Sequence, residues 1–227
     1  MLILINKELW LKNAMYILTL TFLPSLLILL YVTNSDKFKE PTSLIISTFF
    51  LGCLLCFPAG ILNGVLIFNK ETPDNYSFLA GFSEETLKFL ALYFYVKNRK
   101  EFDEPMDAVV YGCLISLGFA TYENYEYVYL YETEFSSLNI AVIRALSAIP
   151  LHACCGIIMG YYFIFFHFKK KRMYLFLSLL IPICIHAFYN FLTNIDDTLL
   201  TMFIIGLVIF TISCHKKIKK EQSEIVR

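Results

Sequence analysis

Glu84, Glu85 and Lys88 stand within a single turn of the apolar stretch 77–97, SFLAGFSEETLKFLALYFYVK. A charge at membrane depth costs roughly 2.5–3.5 kcal/mol per residue on insertion scales. Three such groups need partners, and the chain offers candidates in other apolar stretches: Glu123, His152, and His186 with Asn190. These residue types do acid–base chemistry. A carboxylate in a poorly solvated site takes a proton from water near neutrality. A histidine holds a water or a metal through one ring nitrogen while a partner orients the other. His186 and Asn190 are four residues apart, so they share a helix face and can donate hydrogen bonds to a developing oxyanion. Together the parts suit hydrolysis of a peptide bond by an activated water. Adjacent side chains diverge by about 100° on a helix, so one of Glu84 and Glu85 faces the reacting atom, and Lys88 pairs favourably with Glu84 four residues before it.

The elements that must position these groups are membrane helices. Of the 227 residues 58% are hydrophobic and 17% charged, with a mean hydropathy of +0.62. A soluble domain carries about 25% charged residues. The pattern predicts an all-α polytopic transmembrane bundle of seven to eight spans, seven of which can be drawn: 14–33, 42–68, 77–97, 107–129, 138–168, 174–193 and 198–214. Residues 1–227 read as a single integral membrane domain, with 77–191 as its core helices and 215–227 as a basic cytoplasmic tail. The second and fifth spans exceed the ~20 residues needed to cross. Pro58-Ala59-Gly60 offers a break in the second, and Pro24 a kink in the first. Glu104, Pro105 and Asp107 read as the start signals of the fourth helix.

Charge gives orientation. The segments 97–101 (KNRKE), 169–172 (KKKR) and 215–220 (HKKIKK) are basic, whereas 132–134 (ETE) and Asp196-Asp197 are acidic. Positive segments stay cytoplasmic, which puts the acidic loops outside and, counting back, the N-terminus outside, although Lys7 and Lys12 argue for the reverse there. At 1.5 Å per residue the paired glutamates lie about 10 Å below the outer boundary. Glu123 and His186 fall at a similar depth and His152 somewhat deeper. Four helices thus bring acidic or imidazole groups to one layer. Formal net charge is zero, so no nucleic-acid partner is indicated. The partners are a lipid bilayer and a membrane-protein substrate.

Seven cysteines lie in or at the edge of apolar runs and read as buried small hydrophobes rather than a disulfide framework, the Cys53-x-x-Cys56 pair included. There is no H-E-x-x-H helix and no G-x-S-x-G elbow. Glutamate and histidine suit zinc, with His152, His186 and Glu123 as candidate ligands, and they equally suit a metal-free water. A rival reading is a non-hydrolytic membrane protein, a proton-coupled transporter or partner-binding scaffold, using the same carboxylates as a relay. Transporters of that kind carry matched broken helices in two halves, and this sequence has none.

Glu84-Glu85-x-x-Lys88, then FDEPMDAVVYG at 102–112, LGFATYEN at 117–124, His152 in ALSAIPLHACCGIIMGYY and HAFYNF from His186, in that order, resemble the PrsW family of membrane proteases. The resemblance spans 77–191 and extends to the wider group with CAAX prenyl proteases and bacteriocin-processing enzymes. It implies an intramembrane peptidase in a bacterial plasma membrane. One of Glu84 and Glu85 would be the base, His152 would hold the water or metal, His186 with Asn190 would support the oxyanion, and Glu123 would be a further site carboxylate. It also implies site-1 cleavage of a single-span anti-sigma factor near the extracytoplasmic side. Ala108 stands where the family often has glycine.

Overall fold

The computed structural model describes residues 2–131 and 135–225, the side chains of 2–11 and 225 aside. The acidic run 132–134, the Lys7 side chain and the last two residues of the basic tail lie outside what it describes. The described residues form nine helices and no strand: α1 (Leu2–Ser35), α2 (Thr42–Leu54), α3 (Cys56–Asn63), α4 (Leu79–Ala91), α5 (Pro105–Tyr125), α6 (Ser137–Leu146), α7 (Ala148–His167), α8 (Met173–Thr193) and α9 (Asp197–Ile225). Single π-helical turns at Gly64–Phe68, Leu92–Val96 and Glu126–Leu130 extend α3, α4 and α5.

Nine helices make seven crossings, because α2 with α3, and α6 with α7, each form one long span broken in the middle. Proline supplies the reason for both breaks. Pro58 has no N–H to give the Leu54 carbonyl, and α2 ends at Leu54; Pro150 has none for Leu146, and α6 ends there. The expected break in the second span is therefore present, and the fifth has a counterpart. Pro24 does not interrupt α1. Five spans are long and apolar enough to cross a membrane: Lys12–Ser35, Thr42–Phe68, Ser137–His167, Met173–Thr193 and Asp197–Glu224. The other two long helices, α4 and α5, carry the charged residues; α5 is enclosed by its neighbours, whereas α4 keeps an exposed face that includes Phe82 and Leu90.

The crossings alternate as the charge pattern predicts. At one end Gln222 of α9 bonds both Asp36 and Glu104, and Lys169 pairs with Glu221 at 3.4 Å. At the other end Asn194 donates to the Asp74 carbonyl at 3.0 Å and to Ser77. The first end holds all three basic segments and is the cytoplasmic one by the positive-inside rule.

α5 is the axis, with buried side chains over most of its length. Glu104 and Asp107 form the capping box that starts it, behind Pro105. Small residues let neighbours reach its backbone. A Cβ on Gly156 of α7 would lie 2.4 Å from the Gly112 carbonyl oxygen, and one on Gly160 would lie 2.1 Å from that of Ala108. Ala108 is tolerated because α7 presents Gly160 opposite it. Gly118 faces α2 in the same way, where a Cβ would lie 1.9 Å from the Phe49 carbonyl oxygen, and Gly81 of α4 approaches Ala187 of α8. The cysteines are all free, and those at 53 and 56 donate weakly to the Gly118 and Phe119 carbonyls. His215 is not solvated with the basic residues around it: it is buried against α1, 2.7 Å from the Ser35 hydroxyl.

These contacts give a controlled comparison. Gly156→Ala is expected to lower the unfolding temperature measurably in detergent, because backbone carbonyls cannot yield. Gly60→Ala, where a Cβ meets open space, is expected to leave it unchanged or raise it, through a helix-propensity gain of up to ~1 kcal/mol.

Candidate active site

The paired glutamates sit at the middle of α4, wholly buried, with different surroundings. Glu85 Oε1 accepts from Lys88 Nζ at 2.7 Å and lies 2.9 Å from His186 Nδ1. Glu84 Oε1 accepts from Asn63 Nδ2 of α3 at 3.2 Å, and its Oε2 is buried without a hydrogen-bond partner. Lys88 is fully buried. Its ammonium bonds Glu85, approaches His152 Nδ1 at 2.8 Å and lies 4.2 Å from the Phe119 ring centroid. An ion so placed is held by partners on three helices, which offsets its desolvation.

The partners assign the protons. An ammonium only donates, so His152 Nδ1 must accept from Lys88. The neutral ring then carries its hydrogen on Nε2, which donates to Glu123 Oε2 at 3.0 Å. Glu123 is held from the other side by Arg144 of α6, 2.6 Å from the same oxygen. His186 is the opposite tautomer. Its Nδ1–H points at Glu85, which leaves the Nε2 lone pair bare, 3.9 Å from Glu84 Oε2. That gap is too long for a hydrogen bond and suits one intervening water or ion.

The four-helix layer expected from sequence is therefore present: α4, α5, α7 and α8 bring Glu84, Glu85, Glu123, His152 and His186 together. Asn190 lines the same cavity, but its amide is engaged elsewhere, donating to the Ser77 carbonyl at 3.1 Å. It ties α8 to the start of α4. Two residues were missed in the sequence. Arg144 is a lone cation in an apolar run, and the rule that singled out Glu84 applies to it equally. Asn63 gave no such signal, since a neutral amide near a helix break reads as ordinary. Arg144 Nε also donates to Asn124 Oδ1 at 2.8 Å, and Asn124 in turn donates to the Thr21 carbonyl, fastening α6 through α5 to α1.

The cluster faces a cavity of about 650 Å³. Glu84, Glu123, His152 and His186 are on its wall, whereas Glu85 and Lys88 stand behind them. The cavity reaches Pro73, Asp74, Tyr131 and Thr193, all near the end opposite the basic segments. Donor atoms of Glu84, His152 and His186 lie within 4.8 Å of one another, a set able to hold a metal ion. The fit is good at two of the three: Glu84 Oε2 and His186 Nε2 are bare. His152 Nε2 must give up its proton to Glu123 to join them.

Removing one member of this ion pair, whose side chains are 13% and 15% exposed, leaves the other poorly compensated, at a cost below the roughly 3–5 kcal/mol of a fully buried pair. Arg144→Met is therefore expected to destabilise the protein by less than that amount. Adding Glu123→Gln to it is expected to restore much of the loss, as read by denaturation in detergent.

A family model described as PrsW family intramembrane metalloprotease matches residues 40–214. Protease PrsW of Geobacillus kaustophilus (strain HTA426) is 37% identical over 175 residues, covering 74% of this chain and 76% of the relative. Protease PrsW of Bacillus subtilis (strain 168) is 36% identical over 178 residues, covering 74% and 78%. That of Clostridioides difficile (strain 630) is 33% identical over 190 residues, covering 78% and 79%. No solved structure matches.

Proposed function

The chain belongs to the PrsW family of intramembrane metalloproteases, and from that premise we propose that it hydrolyses a peptide bond of a membrane-protein substrate with a water activated at Glu84. It is a membrane-embedded, multi-pass protease, and we place it in the plasma membrane. Enzyme chemistry thereby takes precedence over the transporter or scaffold reading of the same carboxylates.

One observation carries the assignment to Glu84 rather than Glu85. Glu84 is on the cavity wall with a bare Oε2 opposite a bare histidine nitrogen, while Glu85 stands behind, off the wall, its Oε1 taken by both Lys88 and His186. In the reaction we propose, a water between Glu84 Oε2 and His186 Nε2 gives one proton to Glu84. Its oxygen adds to the scissile carbonyl carbon. The Nε2–H of His152 then turns from Glu123 to the developing oxyanion. Glu84 returns the proton to the leaving nitrogen as the C–N bond breaks. Glu85 and Lys88 act through the histidines: one sets the His186 tautomer, the other that of His152.

A metal has its donors at Glu84, His152 and His186, and zinc is the ion they suit. Bound there, it would supply an acidified water and a polarised carbonyl. We further propose that the substrate is a single-span membrane protein cut on the extracytoplasmic side, since the cavity reaches the loops at that end. An anti-sigma factor, cut at its first site, is the substrate class that the family resemblance suggests.

Glu84→Gln is expected to insert and fold normally and to lose about 10²–10⁴-fold in cleavage of a tagged single-span substrate. Glu85→Gln is expected instead to lower the unfolding temperature, because Lys88 loses its closest anion. Equal activity in Glu84→Gln and the parent, with matched expression, would sink the assignment. Chelation of the purified protease separates the two forms of the site: cleavage lost to a chelator and restored by zinc would assign Glu84, His152 and His186 as metal ligands, whereas activity indifferent to chelator is the outcome expected of a water held by Glu84 and His186 alone.

A further inference from the structure

A second cluster of carboxylates lies at the cytoplasmic end, unrelated to the protease cavity. Asp36 and Glu40 come from the turn between α1 and α2, Glu104 from the cap of α5, and Asp107 from its first turn. Oxygens of Asp36, Glu104 and Asp107 lie within 4.8 Å of one another. Asp36 is 3% exposed and Asp107 fully buried. Among the described residues none of the four is in an ion pair. Lys37 and Lys39 adjoin Asp36 and Glu40 in sequence, yet Lys39 donates instead to the Thr33 carbonyl at 2.9 Å. The neutral donors present are few. Gln222 Nε2 gives to Asp36 Oδ1 at 2.7 Å and to Glu104 Oε1 at 2.6 Å, and the Tyr111 hydroxyl gives to Glu40 Oε2.

Asp107 supplies the separate observation. Its Oδ2 accepts from the backbone N–H groups of Asp103 and Glu104, each at 2.8 Å, as the helix cap requires. Its Oδ1 is sealed from solvent and receives no hydrogen bond, and the carboxyl rests against that of Glu40. A buried carboxylate oxygen without a donor, turned toward other carboxylates, calls for a positive partner. Beside the group is a cavity of about 250 Å³, bounded by Thr33, Asn34, Asp36, Lys39 and Glu40, with room for waters.

We infer that Asp36, Glu40, Glu104 and Asp107 form a binding site for a hard divalent cation of the magnesium or calcium type. The donors are all oxygen, which selects against zinc and copper and for hard ions that keep some of their water. The ligands come from the α1–α2 turn and the α5 cap, and Gln222 of α9 closes the group. A bound ion would therefore fasten three separate parts of the cytoplasmic end.

The test uses the purified full-length chain in detergent carrying His152→Ala and His186→Ala, which cripples the protease cluster as a metal site. Manganese, a paramagnetic stand-in for magnesium, is titrated and followed by electron paramagnetic resonance, with magnesium and calcium as competitors. One saturable equivalent is expected, displaced by either competitor, and lost or weakened at least tenfold in both Asp107→Asn and Asp36→Asn. Magnesium or calcium should raise the unfolding temperature of the parent and not of Asp107→Asn. Without cation, Asp107→Asn should be at least as stable as the parent, since it removes one of four crowded charges. A parent that takes up no manganese, or whose uptake is unchanged in both variants, would overturn the site and leave shared protons as what holds the carboxylates together.

Discussion

The Lys88 ammonium is the group on which the protease site depends. It is fully buried, and its nearest partners are Glu85, His152 and the Phe119 ring face. Because it only donates, it forces His152 to keep its hydrogen on Nε2, and Glu123 must accept it. Because it holds Glu85 ionised, His186 takes the opposite tautomer and leaves Nε2 bare. Two histidines 4.9 Å apart between ring centroids thus carry different faces into one cavity. Their difference is imposed by one cation that never touches the cavity.

The charges explain why Glu84 is the carboxylate left without a close counterion of its own. Glu84, Glu85 and Glu123 carry three negative charges if ionised, and Lys88 and Arg144 supply two positive ones. Lys88 is closest to Glu85 and Arg144 to Glu123, so the surplus falls on Glu84. In a poorly solvated layer a surplus of one negative charge is an affinity for a proton or a metal ion. Ion pairing at the back of the site therefore leaves a carboxylate ready for chemistry at the front.

α5 connects this site to the acidic cluster at the other end of the molecule. Asp107 and Glu123 are sixteen residues apart on it, or about 24 Å along its axis. Between them the helix is apolar and clasped by glycines from α2 and α7. The two clusters differ in composition. The outer one contains nitrogen donors and internal cations; the cytoplasmic one is all carboxylate, tyrosine hydroxyl and amide. Burial raises the Glu104 carboxyl to about 7, with Asp36 adding to the effect against the Gln222 hydrogen bond.

The class of molecule, the order and alternation of its long helices and the layer where the ionisable groups meet are legible in the amino-acid pattern alone. Those follow from hydropathy, loop charge and the rise of a helix, which are local or additive properties. It also marked Glu84, Glu85, Glu123, His152 and His186, because each violates the apolar pattern around it. Tertiary structure decided what each group is for. Whether Glu84 or Glu85 faces the cavity depends on the rotation of α4 against α3 and α8, set by close contacts such as Gly81 on Ala187. The tautomers depend on which atoms of four helices touch. Asn190 shares a helix face with His186, as its spacing requires, yet its amide is engaged by Ser77, a partner over a hundred residues away. Arg144 was legible as an intramembrane cation, but its counterion was not, because ion pairing across helices depends on packing that no spacing encodes.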